Sequence, residues 1–302
     1  MTKQKLWSLT KLFIKIGVTA LSLYLVFSRV SIKDLEEAVT TSDPIFFLLA
    51  FISFGISQVI TSRRLNGFFR GIDLRITEWY NFKLYLLGMF YNLFLPGGIG
   101  GDGYKIFFLR KKFGIKGRRI LKAIFFDRLS GLWALCLITV GLIIFMPQLN
   151  IPNWMPITAI SLGTVVYFIV MKKVFPRYSK TFFMTHFRAI CVQSFQLISA
   201  ICLLYALHFD GKFSPYLFMF LASSLVAIFP FTVGGLGARE VVFLYGAEVF
   251  NLDPHLAVLI SLLYYFVAAF MSITGSYFIF HPQALGEKEL PRKEEKEDGE
   301  ED

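Results

Sequence analysis

Leu256–Phe280 runs for 25 residues without a charged side chain, and no other feature constrains the chain as much. A helix needs roughly 20 mostly apolar residues to cross the hydrocarbon core of a bilayer. Backbone N–H and C=O groups must be satisfied within the segment there, so such a stretch reads as a spanning helix. Comparable runs recur, among them the stretch around Leu197–Tyr205. The chain is 55% hydrophobic and only 17% charged, against about 25% charged residues in soluble domains. No large soluble domain fits. The expected organisation is a cytoplasmic N-terminus (1–11), a transmembrane domain (12–280) and a charged tail (281–302). Glu287–Asp302 is nearly all charged and cannot bury a core, so it reads as disordered and cytoplasmic.

The net charge of +10 fits the gathering of Lys and Arg in cytoplasmic loops. It does not call for nucleic acid, since the chain has no nucleic-acid recognition module. Cys136, Cys191 and Cys202 fall inside apolar segments without metal-ligand spacing and read as packing residues. Neither a metal nor a cofactor is expected. Lys3, Lys5, Lys11 and Lys15 precede the apolar run Ile16–Phe27. No small-residue cleavage site follows, so this reads as an uncleaved first span starting in the cytoplasm.

Charge in the connecting segments sets the expected topology. The first span is about Leu12–Val30, followed by an external loop with Asp34, Glu36, Glu37 and Asp43. The second, Pro44 to about Thr61, returns to a basic cytoplasmic loop holding Arg63, Arg64, Arg70 and Arg75. Three more full spans are Ile120–Met146, Trp154–Met171 and Arg188–Leu207, and the last is Leu256–Phe280.

Two apolar units do not fit single crossings. Trp79–Leu95 ends in Pro96-Gly97-Gly98-Ile99-Gly100-Gly101-Asp102-Gly103, continues as the short segment Tyr104–Leu109, and has basic flanks on both sides. Pro215–Phe229 ends in Pro230-Phe231-Thr232-Val233-Gly234-Gly235-Leu236-Gly237-Ala238-Arg239-Glu240, and a second arm, Val241–Phe250, leads to a segment without Lys or Arg. Each reads as a re-entrant hairpin, spanning about 79–109 and 215–250 and entering from opposite sides. Non-helical backbone at that depth requires surrounding protein or a water-filled cavity. Paired Gly/Pro breaks in two halves are the sequence mark of a transporter site. The alternative is a pair of glycine-rich surface loops. The expected fold class is therefore an all-α polytopic membrane protein with about six full transmembrane helices and two oppositely oriented re-entrant helical hairpins, an inverted repeat of flippase-like form.

Proline ends the helix before each break, and glycine permits close approach and positive φ. The arm after each break starts a helix whose free N–H groups and positive dipole end suit an anionic headgroup. Asp102 and Glu240 are either acids that satisfy those N–H groups or part of a binding site. Lys105 and Arg239 are more telling, because ionisable groups at membrane depth usually line a pathway. Both suit a lipid phosphate, Arg in bidentate fashion. Asp127-Arg128 lies about two turns inside the third full span and reads either as a mutually neutralised interfacial pair or as cavity lining. Gln193 and Gln196 share a later span and read mainly as helix–helix glue.

Asn92-Leu93-Phe94-Leu95-Pro96-Gly97-Gly98-Ile99-Gly100-Gly101-Asp102, then Lys105, resembles a signature of the lysylphosphatidylglycerol synthase transmembrane-region family. Asp127-Arg128-Leu129-Ser130-Gly131-Leu132 and Gly234-Gly235-Leu236-Gly237-Ala238-Arg239-Glu240 resemble its second and third motifs, in the same order and spacing. The resemblance covers roughly Lys11–Phe280. It implies the flippase-like membrane half of multiple peptide resistance factors, which moves aminoacylated phosphatidylglycerol between leaflets. In those proteins a separate cytosolic domain attaches the amino acid. Here only a charged tail follows Phe280, so synthase activity is not carried over. Position 105 is Lys where the family is associated with Arg, which keeps the charge and loses the fork.

The expected function is a lipid flippase or transporter in the cell (inner or plasma) membrane, both termini cytoplasmic. Its substrate-binding residues would be Asn92, Gly97, Gly98, Gly100, Gly101, Asp102, Lys105, Asp127, Arg128, Gly234, Gly235, Gly237, Arg239 and Glu240. The expected partners are membrane lipids with an anionic phospholipid or a polyprenyl- or glycolipid headgroup, with a second copy of the chain or a separate enzyme as further candidates. One alternative is an intramembrane enzyme: an Asp102–Asp127 dyad sharing a proton, or a glycosyl- or phosphotransferase acting on a lipid carrier. Another is a membrane partner of a separate lipid-modifying enzyme, docked through the basic loop Lys105–Lys122.

Overall fold

The computed structural model describes residues 32–94, 100–226 and 238–286. The expected first span (Leu12–Val30), most of both glycine breaks with Gly97, Gly98, Gly234, Gly235 and Gly237, and the tail 287–302 lie outside the described residues. Twelve α-helices follow in order: α1 (Ile32–Thr41), α2 (Pro44–Arg70), α3 (Glu78–Phe94), α4 (Gly100–Phe113), α5 (Gly117–Ile144), α6 (Trp154–Val174), α7 (Pro176–Ser179), α8 (Phe182–Ala206), α9 (Phe213–Val226), α10 (Ala238–Phe250), α11 (Pro254–Ile273) and α12 (Tyr277–Phe280). A 3₁₀ turn, Thr274–Ser276, joins the last two. The chain is an all-α polytopic membrane protein. Among the described residues five helical stretches are long and apolar enough to cross a bilayer: α2, α5, α6, α8 and Pro254–Phe280. They correspond to five of the six expected full spans.

The boundaries need correction in one important place. α2 does not stop near Thr61 but continues to Arg70, so Arg63, Arg64 and Arg70 belong to the helix and not to a loop. Leu65, Phe68 and Phe69 hold this extension in the core. The helix ends at Gly71, and Asp73 turns the chain with φ of 63°. The segment read as an external loop forms α1, and α5 and α8 begin a few residues earlier than hydropathy suggests.

Two spans start by the same device. Asp43 accepts a hydrogen bond from the Ile45 N–H (2.8 Å), and Asp253 accepts one from the His255 N–H (2.9 Å). A proline follows each acid at the first helical position. The side-chain oxygen satisfies an otherwise unpaired helix donor, and proline has no N–H to waste there.

α2 and α8 run antiparallel, in contact from end to end. Gly67 faces Thr185 Cγ2. Arg188 donates to the Arg63 carbonyl (2.9 Å), Ser53 to the Phe195 carbonyl (2.8 Å), Ser199 to the Ala50 carbonyl (2.9 Å), and the Asp43 N–H to the Ala206 carbonyl (2.9 Å). Small side chains and interhelical hydrogen bonds are what holds helices together where lipid is as apolar as leucine.

α3 and α4 form an antiparallel hairpin. Its open ends meet where Tyr80 packs against Phe113 (6.5 Å between rings) and under the Lys112 ammonium (5.6 Å). A Cβ on Gly101 would collide with the Gly88 backbone, so the two helices touch main chain to main chain. α9 and α10 form a second hairpin, its open ends marked by the Phe218–Phe250 contact (5.9 Å). The two open at opposite ends of α2. The first opens beside Arg70, which pairs with Glu78 (2.7 Å), and the second beside Tyr205, whose ring meets Phe213 (5.0 Å). With 27 residues at about 1.5 Å each, α2 separates these ends by roughly 40 Å.

The buried apolar side chains follow the same division. One cluster surrounds the first hairpin and includes Leu65, Phe68, Tyr80, Leu84 and Ile124. The other surrounds the second and includes Ala50, Phe54, Leu135, Phe220 and Phe243. Between them the inward face of α2 is polar: Ser57, Gln58, Thr61, Ser62 and Arg64 are all buried. The boundary between the two clusters is thus the polar middle of the bundle.

Candidate functional site

At this boundary α4 and α5 bring in their charges. Asp102 stands in the first turn of α4, whose first N–H groups have no helical partner. Asn92, near the end of α3, accepts a hydrogen bond from the Gly101 N–H (2.8 Å). Asn92 thereby caps α4 and positions the start of the helix.

Asp102 is left to meet two cations. Its Oδ1 lies 3.3 Å from the Lys105 ammonium, one turn along the same helix, and its Oδ2 lies 2.6 Å from the Arg128 guanidinium on α5. Lys105 is almost fully buried: its stem passes Gly88, and its ammonium lies 4.7 Å from the centre of the Tyr85 ring. The Arg128 side chain is 49% exposed.

Asp127 does not neutralise its neighbour Arg128, since adjacent positions on a helix point in different directions. It pairs instead with Arg64, which donates from Nε to Oδ1 (2.8 Å) and from Nη2 to Oδ2 (3.1 Å). Both are buried, and a Cβ at Gly131 would stand 3.2 Å from Arg64 Nη1, so glycine makes room for the guanidinium. The hydroxyl of Tyr85 donates to Gln58 (3.1 Å), extending the polar seam to α3.

Lys105 and Arg128 thus share the one carboxylate of Asp102. Arg128 reaches from this group to a cavity of about 540 Å³. Asp102 and Gly103 of the first hairpin line this cavity, with Arg128 on α5, Gln193 on α8 and Ser224 of the second hairpin. Gln193 Oε1 is buried and has no hydrogen-bond partner among the described residues. Buried polar atoms in native structures are almost always paired, and an exception asks for a ligand or a water. Leu121, Phe125, Leu132 and Leu135 make an apolar wall, and Leu121 and Phe125 are more than half exposed at the lipid-facing surface.

The third motif forms a separate group at the start of α10. Ser261 on α11 donates to Glu240 Oε1 (3.2 Å), and the Arg239 guanidinium lies 5.8 Å from the centre of the Tyr264 ring. Arg239 Nε is buried and has no hydrogen-bond partner among the described residues. Among the described residues no group of three or more His, Cys, Asp or Glu side chains is placed to hold a metal ion.

The pattern of the family described as Lysylphosphatidylglycerol synthase TM region matches residues 12–195 and 184–275. The chain belongs to this family. No curated protein matches it significantly. Within the family match, the structure joins the first two motifs: Asn92, Gly100, Gly101, Asp102 and Lys105 stand at the α3–α4 hairpin and meet Arg128 of the second. Arg239 and Glu240 of the third motif stand against α11.

Arg64, Gln58 and Tyr85 escaped the sequence reading. A signal was present in α2, where Ser53, Ser57, Thr61 and Arg64 recur every three to four residues and so share one helix face.

Proposed function

We propose that this family member moves a phosphate-bearing lipid headgroup, of a phospholipid or glycolipid, across the membrane through the cavity between its two hairpins. The observation that carries the reading is Arg128: a half-exposed guanidinium, oriented by Asp102, opening on a cavity to which both hairpins contribute and whose outer wall is apolar. A half-exposed guanidinium suits a phosphate. The exposed side chains of Leu121 and Phe125 leave a path along which acyl chains stay in the bilayer while the headgroup enters. Hairpins opening at opposite ends of the bundle fit the inverted repeat on which alternating access would rest. Basic residues around α4 and α5 favour an orientation with both termini in the cytoplasm, in the cell membrane.

In this reading the chain is a transporter and not an enzyme. A carboxylate dyad shares a proton when no cation holds either acid. Here Asp102 has Lys105 and Arg128, and Asp127 has Arg64.

The test is lipid exchange in proteoliposomes carrying fluorescent phosphatidylglycerol, phosphatidylcholine or lysyl-phosphatidylglycerol, read by dithionite quenching of the outer leaflet. The protein should accelerate exchange of at least one of them. Arg128→Gln should slow that exchange about tenfold, the effect of losing one charge-assisted contact of roughly 1.4 kcal/mol. Exchange no faster than in protein-free vesicles for all three lipids would sink the reading.

A further inference from the structure

α4 borders a second cavity, of about 480 Å³, on its other side. Asp102, Gly103 and Ile106 face the transport cavity, whereas Tyr104, Phe107, Phe108 and Lys111 face this one. At about 100° per residue the two sets centre on nearly opposite faces of the helix. The second cavity is therefore a different site.

Its walls are aromatic. The Tyr91 and Tyr104 rings stand 4.6 Å apart, and Phe108 stacks on Tyr104 at 5.8 Å. Phe278 and Ile279, at the end of the last span, close the far side. That side is fixed in place, because a Cβ on Gly275 would collide with the Leu86 carbonyl, so the main chains of α3 and the final turn touch. Phe107 is 64% exposed and forms a lipid-facing lip.

The rim is basic. Lys111 and Lys112 belong to the last turn of α4, where the negative end of the helix dipole favours cations. The Lys112 ammonium lies over the Tyr80 and Phe108 rings at 5.6 and 5.7 Å. Among the described residues no ion pair neutralises Lys111 or Lys112. An apolar slot open to the hydrocarbon, with unneutralised ammonium groups at one end, has the chemistry of an acyl chain joined to an anionic headgroup.

We propose that this slot holds one anionic phospholipid, its acyl chain along Tyr91, Tyr104 and Phe278 and its phosphate at Lys111 and Lys112. A lipid so placed bridges the first hairpin and the last span. The site is separate from the transported lipid and does not depend on the transport reading.

The test is native mass spectrometry of the purified full chain titrated with dioleoylphosphatidylglycerol or dioleoylphosphatidylcholine. The anionic lipid should be retained in preference to the zwitterionic one. Lys111→Gln with Lys112→Gln should cut that preference about tenfold, and Ile279→Trp, which fills the slot, should lower occupancy by either lipid. Arg128→Gln, in the other cavity, should leave one phosphatidylglycerol bound. Glycerol 3-phosphate, the headgroup without chains, should not compete. An unchanged preference in the double-lysine variant overturns the proposal, as does loss of all binding in Arg128→Gln. Full competition by glycerol 3-phosphate also overturns it, since it would mark a phosphate site and not a lipid site.

Discussion

Arg64 on α2 and Asp127 on α5 hold each other through two parallel hydrogen bonds of 2.8 and 3.1 Å, both side chains buried at the boundary between the two apolar clusters. Sixty-three positions separate them in the sequence. The pair is the link between the span that faces both hairpins and the span that carries Arg128 to the cavity.

Breaking that pair on one side leaves a charge buried and uncompensated. Arg64→Met should destabilise the protein by roughly 3–5 kcal/mol, whereas Arg64→Met with Asp127→Leu should recover most of the loss. Thermal unfolding of the detergent-solubilised protein measures both. If the double variant is no more stable than Arg64→Met, the pairing does not account for the cost.

Gly101 and Gly103 separate packing from function two positions apart. A methyl at Gly101 meets the Gly88 main chain, which cannot yield, while a methyl at Gly103 meets nothing within 4 Å. Gly101→Ala should cost about 1–3 kcal/mol by overpacking. Gly103→Ala should leave stability unchanged and, because Gly103 lines the cavity, alter lipid exchange. Equal melting temperatures for the two variants would contradict this assignment.

Gln193 carries a buried oxygen with no hydrogen-bond partner among the described residues. Gln193→Leu removes that unsatisfied acceptor at similar volume, so stability should hold or rise by up to about 1 kcal/mol. Lipid exchange should fall if the amide meets the headgroup. A variant that exchanges lipid at the wild-type rate would assign Gln193 to packing.

α6 is the least buried of the described spans, and polar contacts tie it to the bundle. His186 Nδ1 donates to the Phe182 carbonyl (2.7 Å), which leaves Nε2 to accept from the Tyr167 hydroxyl (3.1 Å). Trp133 donates to Thr164 (2.8 Å). Tyr167→Phe and Trp133→Phe should each cost about 1 kcal/mol and speed proteolysis in the 147–153 loop. Digestion at the wild-type rate in the double variant would show that apolar contact suffices to hold α6.

That α3 and α4, and α9 and α10, are separate helices could be read from the sequence, because proline and glycine in an apolar stretch act locally. The end of α2 could not. Loop-charge counting places Arg63 and Arg64 at a membrane surface, yet Leu65 and Phe69 keep the helix going by burial against residues distant in the chain. Asp127-Arg128 left two readings open, because their partners, Arg64 and Asp102, lie on other helices where no local pattern points.

Membership of this family, the apolar spans, the two interrupted units and the charges inside them are all legible in the chain's sequence. These follow from composition, periodicity and motif, which act within a few helical turns. Which cation holds which carboxylate depends instead on how the helices pack. Arg64, Asp102, Lys105, Asp127 and Arg128 carry no local preference for one another. In a low-dielectric interior each charge is stable only beside a partner, and the packing of α2 and α4 against α5 selects that partner, leaving Arg128 open to the cavity.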